Sequence, residues 1–260
     1  MKRTSIKLQA FVFIFSLFFI PQVASTAKAA SKSKKITIAV ASNAEGPLRE
    51  IARAFEAKTK TSVTVVTGST GKLYAQITLG APFDIFFSAD DIRPRLLTEK
   101  NLAKKETLFT YASGTLALWT PEVSSLDISK GDLTSLKGST IRRVAIANPE
   151  LAPYGHATVE ALKASGVYSN IKSRVIYGEN VAQAFGFARS GNAEVAIVSL
   201  SILFNEKGKI TPVSKDLYSP ILQQAVITNR APTEALEFIE FLRSDAGDKI
   251  FKKYGYRTLH

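Results

Sequence analysis

Ile36-Thr-Ile-Ala-Val-Ala41 is a short, almost wholly apolar run bounded by polar residues. A strand with one wet face alternates apolar and polar side chains, so a run without alternation marks a strand covered on both faces. Just beyond it, Pro47 suits the first turn of a helix. Leu48, Ile51, Ala52 and Phe55 then recur at helical spacing along one face. Residues 62–66 read as a second strand and 71–79 as a second helix, with Leu73 and Ile77 turned to the core beside Tyr74. Residues 84–87, Asp-Ile-Phe-Phe, read as a third, again apolar, strand. This β-α-β-α-β alternation predicts a parallel sheet with helices on its faces.

The pattern then restarts. Strands are expected at 115–119, 143–147, 174–177, 194–200 and 223–228, and helices at 157–163, 181–189, 233–243 and 245–253. Neither an internal repeat nor a low-complexity linker separates the halves. Two α/β units joined in this way imply two lobes, each a mainly parallel sheet flanked by helices, linked by crossing strands around a cleft. The expected division is 30–112 for lobe 1, 113–224 for lobe 2, and 225–260 for a return strand and C-terminal helices of lobe 1.

Residues 1–29 read as a cleaved export signal. Lys2, Arg3 and Lys7 form a basic start, residues 8–20 are apolar except for Gln9 and Ser16, Pro21 breaks the helix, and Ala27-Lys28-Ala29 supplies small residues for cleavage. The apolar run has 13 residues, short of the ~20 needed to span a bilayer. Cleavage after Ala29 removes four cations and no acid, which lowers the formal net charge from +12 to +8. The protein is therefore expected in the periplasm, where nucleic-acid partners are not expected, and aromatics do not interleave with Lys or Arg as single-strand binding requires. The sequence contains no cysteine, which excludes disulfides, thiolate metal sites, cysteine nucleophiles and an acylated N-terminal cysteine.

In sheets of this kind ligands sit at the carboxyl ends of strands, against helix N-termini. Four segments fall there: Ser42-Asn43-Ala-Glu-Gly46, Thr67-Gly-Ser69-Thr70-Gly71, Asn148-Pro-Glu-Leu-Ala-Pro-Tyr154-Gly155 and Gly178-Glu-Asn-Val181. Each offers small hydroxyl or amide groups and unpaired backbone N–H groups at the positive end of a helix dipole, which together suit an anion. Any one of them alone reads as a plain helix cap; four at successive strand ends are the signal. Ser69-Thr-Gly-Lys72 lacks the spacing of a phosphate loop.

Catalytic chemistry is poorly supplied. Apart from the terminal His260 the sole imidazole is His156, read as an exposed residue in the first turn of a helix. No His pair has metal-ligand spacing and no Gly-x-Ser-x-Gly elbow occurs. Asp84 and Asp90-Asp91 are the obvious carboxylates; Asp90-Asp91 reads as a helix cap, and a carboxylate touching a dianion would repel it. A binder is expected, not an enzyme.

The residues carry a resemblance to a known family. Gly80-Ala-Pro-Phe-Asp-Ile-Phe-Phe-Ser-Ala-Asp90, with Ala41-Ser-Asn43, Gly68-Ser-Thr-Gly-Lys-Leu-Tyr-Ala-Gln-Ile77, Asn148 to Gly155 and Lys253-Tyr-Gly-Tyr256, is similar to the periplasmic molybdate-binding proteins, the substrate-binding components of molybdate ABC transporters. The resemblance runs from Ile36 to the end. It implies a type II periplasmic-binding fold that closes on molybdate or tungstate with neutral donors, no cofactor, no direct cation ligand and a membrane permease as partner, the protein itself a monomer. Carried over by position, it assigns Ser42, Asn43, Ser69 and Thr70 from one lobe and the Tyr154 and Val181 N–H groups from the other. Many members have Ser at the position of Asn43, and a ligating Tyr at that of Ser199; this chain matches the branch with Asn and Pro-Tyr-Gly, and Ser199 is expected to make no contact.

The physics agrees with an acceptor-only ligand. Hydrogen phosphate carries a proton that needs an acceptor, so a pocket of donors rejects it. Competing readings are a binding protein for sulfate or thiosulfate, an oxyanion-sensing module, and, least favoured, an exported hydrolase.

Overall fold

The computed structural model describes residues 34–138 and 140–259; the expected export signal lies outside the described residues. The first lobe opens with β1 (Lys35–Ala41), α1 (Glu45–Thr59), β2 (Ser62–Gly68), α2 (Thr70–Thr78), β3 (Ile85–Phe87), α3 (Ile92–Glu99) and β4 (Phe109–Gly114). The chain then builds β5 (Leu116–Thr120), β6 (Val144–Ala147), α4 (Pro153–Ala164), α5 (Tyr168–Ile171), β7 (Val175–Gly178), α6 (Val181–Arg189), β8 (Val195–Ser199) and β9 (Lys209–Pro212). It returns as β10 (Ile221–Ile227), α7 (Glu234–Leu242), α8 (Asp245–Lys253) and β11 (Arg257–Thr258).

The first sheet has the order β11-β4-β10-β3-β1-β2 and the second β7-β6-β8-β5-β9. Within the β-α-β units the strands are parallel: β1 with β2 and β3, β6 with β7 and β8. Both sheets are nevertheless mixed, because the strands on which the chain enters the second lobe and re-enters the first, β5 and β10, run the other way. β10 is antiparallel to β3 and β4, and β5 is antiparallel to β8 and β9. The expected lobe boundaries at 112/113 and 224/225 fall inside β4 and β10, both of the first sheet; the chain crosses after Gly114 and returns before Ile221.

β1 is covered on both faces, as its unbroken apolar run requires. Ile36, Ile38 and Val40 join one buried cluster with Leu48, Ile51 and Phe55 of α1 and Phe238 and Leu242 of α7. Ala39 faces the opposite cluster, with Phe86, Leu73, Ile77 and Leu97. The period-two alternation of side chains sends neighbours to different layers, and each large side chain buried this way contributes about 1.5–3 kcal/mol. Phe55 and Phe238 meet edge to face at 5.2 Å. In the second lobe Trp119 packs edge-on against Phe185 at 5.1 Å and donates Nε1–H to the Lys207 carbonyl.

Candidate anion-binding site

The carboxyl ends of β1, β2, β6 and β7 converge, and each is followed by a helix or helical turn. Between them lies a small pocket of about 10 Å³ lined by Ala41, Ser42, Asn43, Gly68, Ser69, Thr70, Ala89, Ala152, Pro153, Tyr154, Asn180 and Val181. All six residues assigned from sequence are thus brought together, two from each of the first-lobe segments and one from each of the second-lobe segments. No side chain in the lining carries a charge.

The hydroxyls are not equivalent. Ser69 is 1 % exposed and, among the described residues, its Oγ has no hydrogen-bond partner. Leaving a buried polar group unpaired costs about 1–3 kcal/mol, so an orphan of this kind asks for a ligand or an ordered water. Thr70 Oγ1, in contrast, accepts the Ala89 N–H at 3.2 Å. Asn43 lines the pocket, yet its side-chain amide, expected to serve as a ligand donor, donates to Gln223 Oε1 at 2.7 Å and Tyr256 OH at 2.8 Å.

Backbone donors come from helix starts, where the first N–H groups have no intrahelical partner. Among the described residues no carbonyl takes the N–H of Thr70, Tyr154 or Val181. α4 begins at Pro153, four residues before the expected helix at 157, since proline at the first position has no N–H to satisfy. That early start places Tyr154 in the first turn. Gly155 permits it: a Cβ there would lie 2.3 Å from the Ala147 carbonyl oxygen. α6 is capped by Asn180 Oδ1, which accepts the Gln183 N–H at 3.1 Å and leaves Val181 at the pocket.

Behind the pocket lies a buried polar network that sequence reading missed. Gln223 Nε2 donates to Tyr154 OH at 3.1 Å, and Tyr111 OH donates to Gln223 Oε1 at 2.9 Å. Tyr256 OH bonds the Asn43 carbonyl at 2.9 Å and Ser201 Oγ at 3.0 Å, and Ser201 Oγ reaches Ser199 Oγ at 3.2 Å. Burial pushes the Tyr256 phenol up to about 12, and holds Tyr111 and Tyr154 well above the usual phenol range. All three stay neutral, so no phenolate opposes an anion in the pocket. The available signal for Gln223 was a polar residue inside the apolar run 221–227.

Other sequence candidates lie elsewhere. The His156 side chain is exposed and sits 3.5 Å from Glu160, outside the pocket. Asp84 Oδ2 accepts the Thr37 N–H at 2.7 Å, tying the loop before β3 to β1. Asp90 Oδ1 accepts the Arg93 N–H at 3.0 Å and so caps α3, whereas Asp91, at the N-cap position itself, makes no capping bond and pairs with Arg95 instead. Across the rim the lobes touch directly: Gly71 N–H bonds the Leu151 carbonyl at 2.9 Å, Lys72 pairs with Glu179 at 3.0 Å, and Arg93 reaches the Glu150 carbonyl at 3.3 Å. The lobes are thus in contact beside the pocket.

Residues 36–257 match the family model of the bacterial extracellular solute-binding proteins. The chain is 38% identical over 227 residues to the molybdate-binding protein ModA of Rhodobacter capsulatus, covering 86% of this chain and 88% of that one. It is 36% identical over 234 residues to the molybdate-binding protein ModA of Azotobacter vinelandii, covering 87% and 91%. The solved periplasmic molybdate-binding protein of Azotobacter vinelandii superposes with a TM-score of 0.82 at 32% identity, over 86% of this chain and all of that one. A two-lobed α/β chain whose neutral, donor-lined pocket closes at the strand ends therefore belongs to the bacterial extracellular solute-binding protein family.

Proposed function

We propose that this protein captures molybdate, and with it tungstate, in the interlobe pocket and delivers it to an ABC permease. The observation that carries the reading is the Ser69 hydroxyl, buried without a partner in a pocket that holds no charge. A tetrahedral dianion with four acceptor oxygens satisfies it together with the unpaired N–H groups of Thr70, Tyr154 and Val181, Ser42 lying beside them. Each charge-assisted bond contributes about 1.5–3 kcal/mol, and the dipoles of α2, α4 and α6 add to the attraction. Asn43 serves through its place in the turn after β1, its amide being held by Gln223 and Tyr256. Relatives named for molybdate binding at 36–38% identity support the ligand, and they are binding proteins, not enzymes, in line with the expectation from sequence. Export through a cleaved signal, a periplasmic location and a monomeric state complete the proposal.

A thermal-shift panel of molybdate, tungstate, sulfate, thiosulfate and phosphate tests it. Molybdate and tungstate at a hundred times their Kd should stabilise the fold by about 2.7 kcal/mol. Stabilisation by phosphate with none by molybdate would overturn the donor-only reading, and stabilisation by sulfate or thiosulfate alone would reassign the ligand.

A further inference from the structure

Gln223 is wholly buried in β10 and does not line the pocket. Its amide nonetheless reaches a pocket residue from each lobe. Oε1 accepts from Asn43 Nδ2 at 2.7 Å, on the first-lobe side, while Nε2 donates to Tyr154 OH at 3.1 Å, on the second. Tyr111 OH shares its single proton between Oε1 at 2.9 Å and the Ser88 carbonyl at 3.0 Å. Reversing this amide alone would set Nε2 against Asn43 Nδ2, donor to donor, so the orientations of the two amides are tied to each other. Space for the junction is made by Gly114, where the chain leaves the first lobe. A Cβ on Gly114 would lie 1.9 Å from Tyr154 OH and 2.6 Å from Gln223 Nε2.

We infer that Gln223 is a positioning residue for anion capture, an internal strut that links Asn43 to Tyr154 and favours the closed pocket. The inference rests on the capture reading given above. The Gln223–Tyr154 bond spans the two lobes, so it belongs to the arrangement in which their donors face one another. A ligand that binds the closed state loses apparent affinity in proportion to the fraction of molecules able to close. Removing the strut therefore weakens binding without removing any group that touches the ligand. A buried amide bonded through both its oxygen and its nitrogen also favours one geometry at the junction over several.

The test is a double-mutant cycle on the purified protein: wild type, Gln223→Met, Tyr154→Phe and the double variant. Molybdate Kd is measured by calorimetry, dissociation by stopped flow, and ligand-free unfolding by temperature. Tyr154→Phe removes the phenol oxygen alone and leaves the backbone N–H in place, which keeps the test open if Gln223→Met folds poorly. Each single variant should raise Kd about tenfold with faster dissociation, and the double variant should be no weaker than the weaker single, because both remove one shared bond. Lowered ligand-free stability with unchanged Kd, or losses of affinity that simply multiply, would overturn the strut. Absence of oxyanion binding by the wild type would instead overturn the capture reading itself.

Discussion

The pocket and the network behind it are built from the same kinds of group, hydroxyls, amides and backbone N–H, and neither holds a formal charge. They differ in how those groups are satisfied. In the network Asn43, Gln223, Tyr111, Tyr154, Tyr256 and Ser201 are bonded to one another at 2.7–3.1 Å. In the adjoining pocket, Ser69 Oγ and the first N–H groups of three helices have no partner among the described residues. Native proteins pair nearly all buried polar groups, and of the orphaned side-chain atoms among the described residues, on Thr61, Ser69, Thr120 and Gln224, only Ser69 Oγ lies in the pocket. Its convergence there with the free N–H groups marks where a ligand goes, and the paired set marks what holds the walls in place. Polarity alone does not separate a binding surface from its support.

The sharpest way to break this contrast is Ser69→Ala. Its loss should weaken molybdate binding by about 1.5–3 kcal/mol, on the order of tenfold to a hundredfold. Ligand-free stability should stay level or rise, because an orphaned buried hydroxyl is removed. Calorimetry and thermal unfolding on the same preparation check both halves. Unchanged affinity would take Ser69 out of the ligand shell.

The network should fail in the opposite manner, through stability, and at alkaline pH. The Tyr256 phenol is raised by burial from 10.0 to about 12. Between those values the unfolded chain loses its phenol proton while the native protein keeps it, so the unfolded state binds fewer protons and stability falls as pH rises. The contribution is fully present below about pH 10 and is lost as pH climbs through about 12, an effect on the order of 2–3 kcal/mol. Thermal unfolding at a series of pH values should show the decline, made shallower by Tyr256→Phe. Molybdate affinity should be flat from about pH 6 to 9, because the one titratable group in the pocket lining, the Tyr154 phenol, is held well above that range by burial.

Thr70→Val lies between the two regions. Its Oγ1 accepts the Ala89 N–H, so valine leaves that buried donor unpaired and should cost about 1 kcal/mol of stability or somewhat more. Affinity should fall less than for Ser69→Ala. A larger loss of binding than of stability would move Thr70 to the ligand side of the contrast.

Much of this was open to reading in the chain. The runs at Ile36 and at Asp84-Ile-Phe-Phe87 announced strands buried on both faces because apolar side chains continue without alternation. Helices α6 and α8 were legible to the residue, framed by Asn180 and Ser244 at their starts. Less legible was β4, whose Phe-Thr-Tyr-Ala-Ser-Gly mixes small and polar residues, and with it the antiparallel half of the first sheet. Strand direction across a lobe crossing is decided by long-range pairing that no local pattern encodes. The same holds for the site. Side-chain types at the strand ends pointed to the pocket, but the division of labour between Ser69 and Thr70, and the capture of the Asn43 amide by Gln223 and Tyr256, depend on contacts between residues up to 213 positions apart. Periodicity carries no record of such pairs.

The smallest effect is expected at the rim, where Lys72 meets Glu179 at 3.0 Å with both side chains substantially exposed. Exposed ion pairs contribute about 0.2–1 kcal/mol and are screened by salt, so Lys72→Ala should weaken molybdate binding no more than a few-fold. The pair has a second consequence, since Glu179 stands two residues from Val181 and its charge, once unpaired, repels an arriving dianion. Association at low ionic strength should therefore slow in Lys72→Ala and recover in about 1 M salt. Glu179→Gln removes the same ion pair without exposing a negative charge, and its association rate should not fall. Equal losses in the two variants would mean that the pair acts as a mechanical latch. A loss beyond about tenfold in either would mean that the rim holds the ligand to a degree the unpaired donors of the pocket do not require.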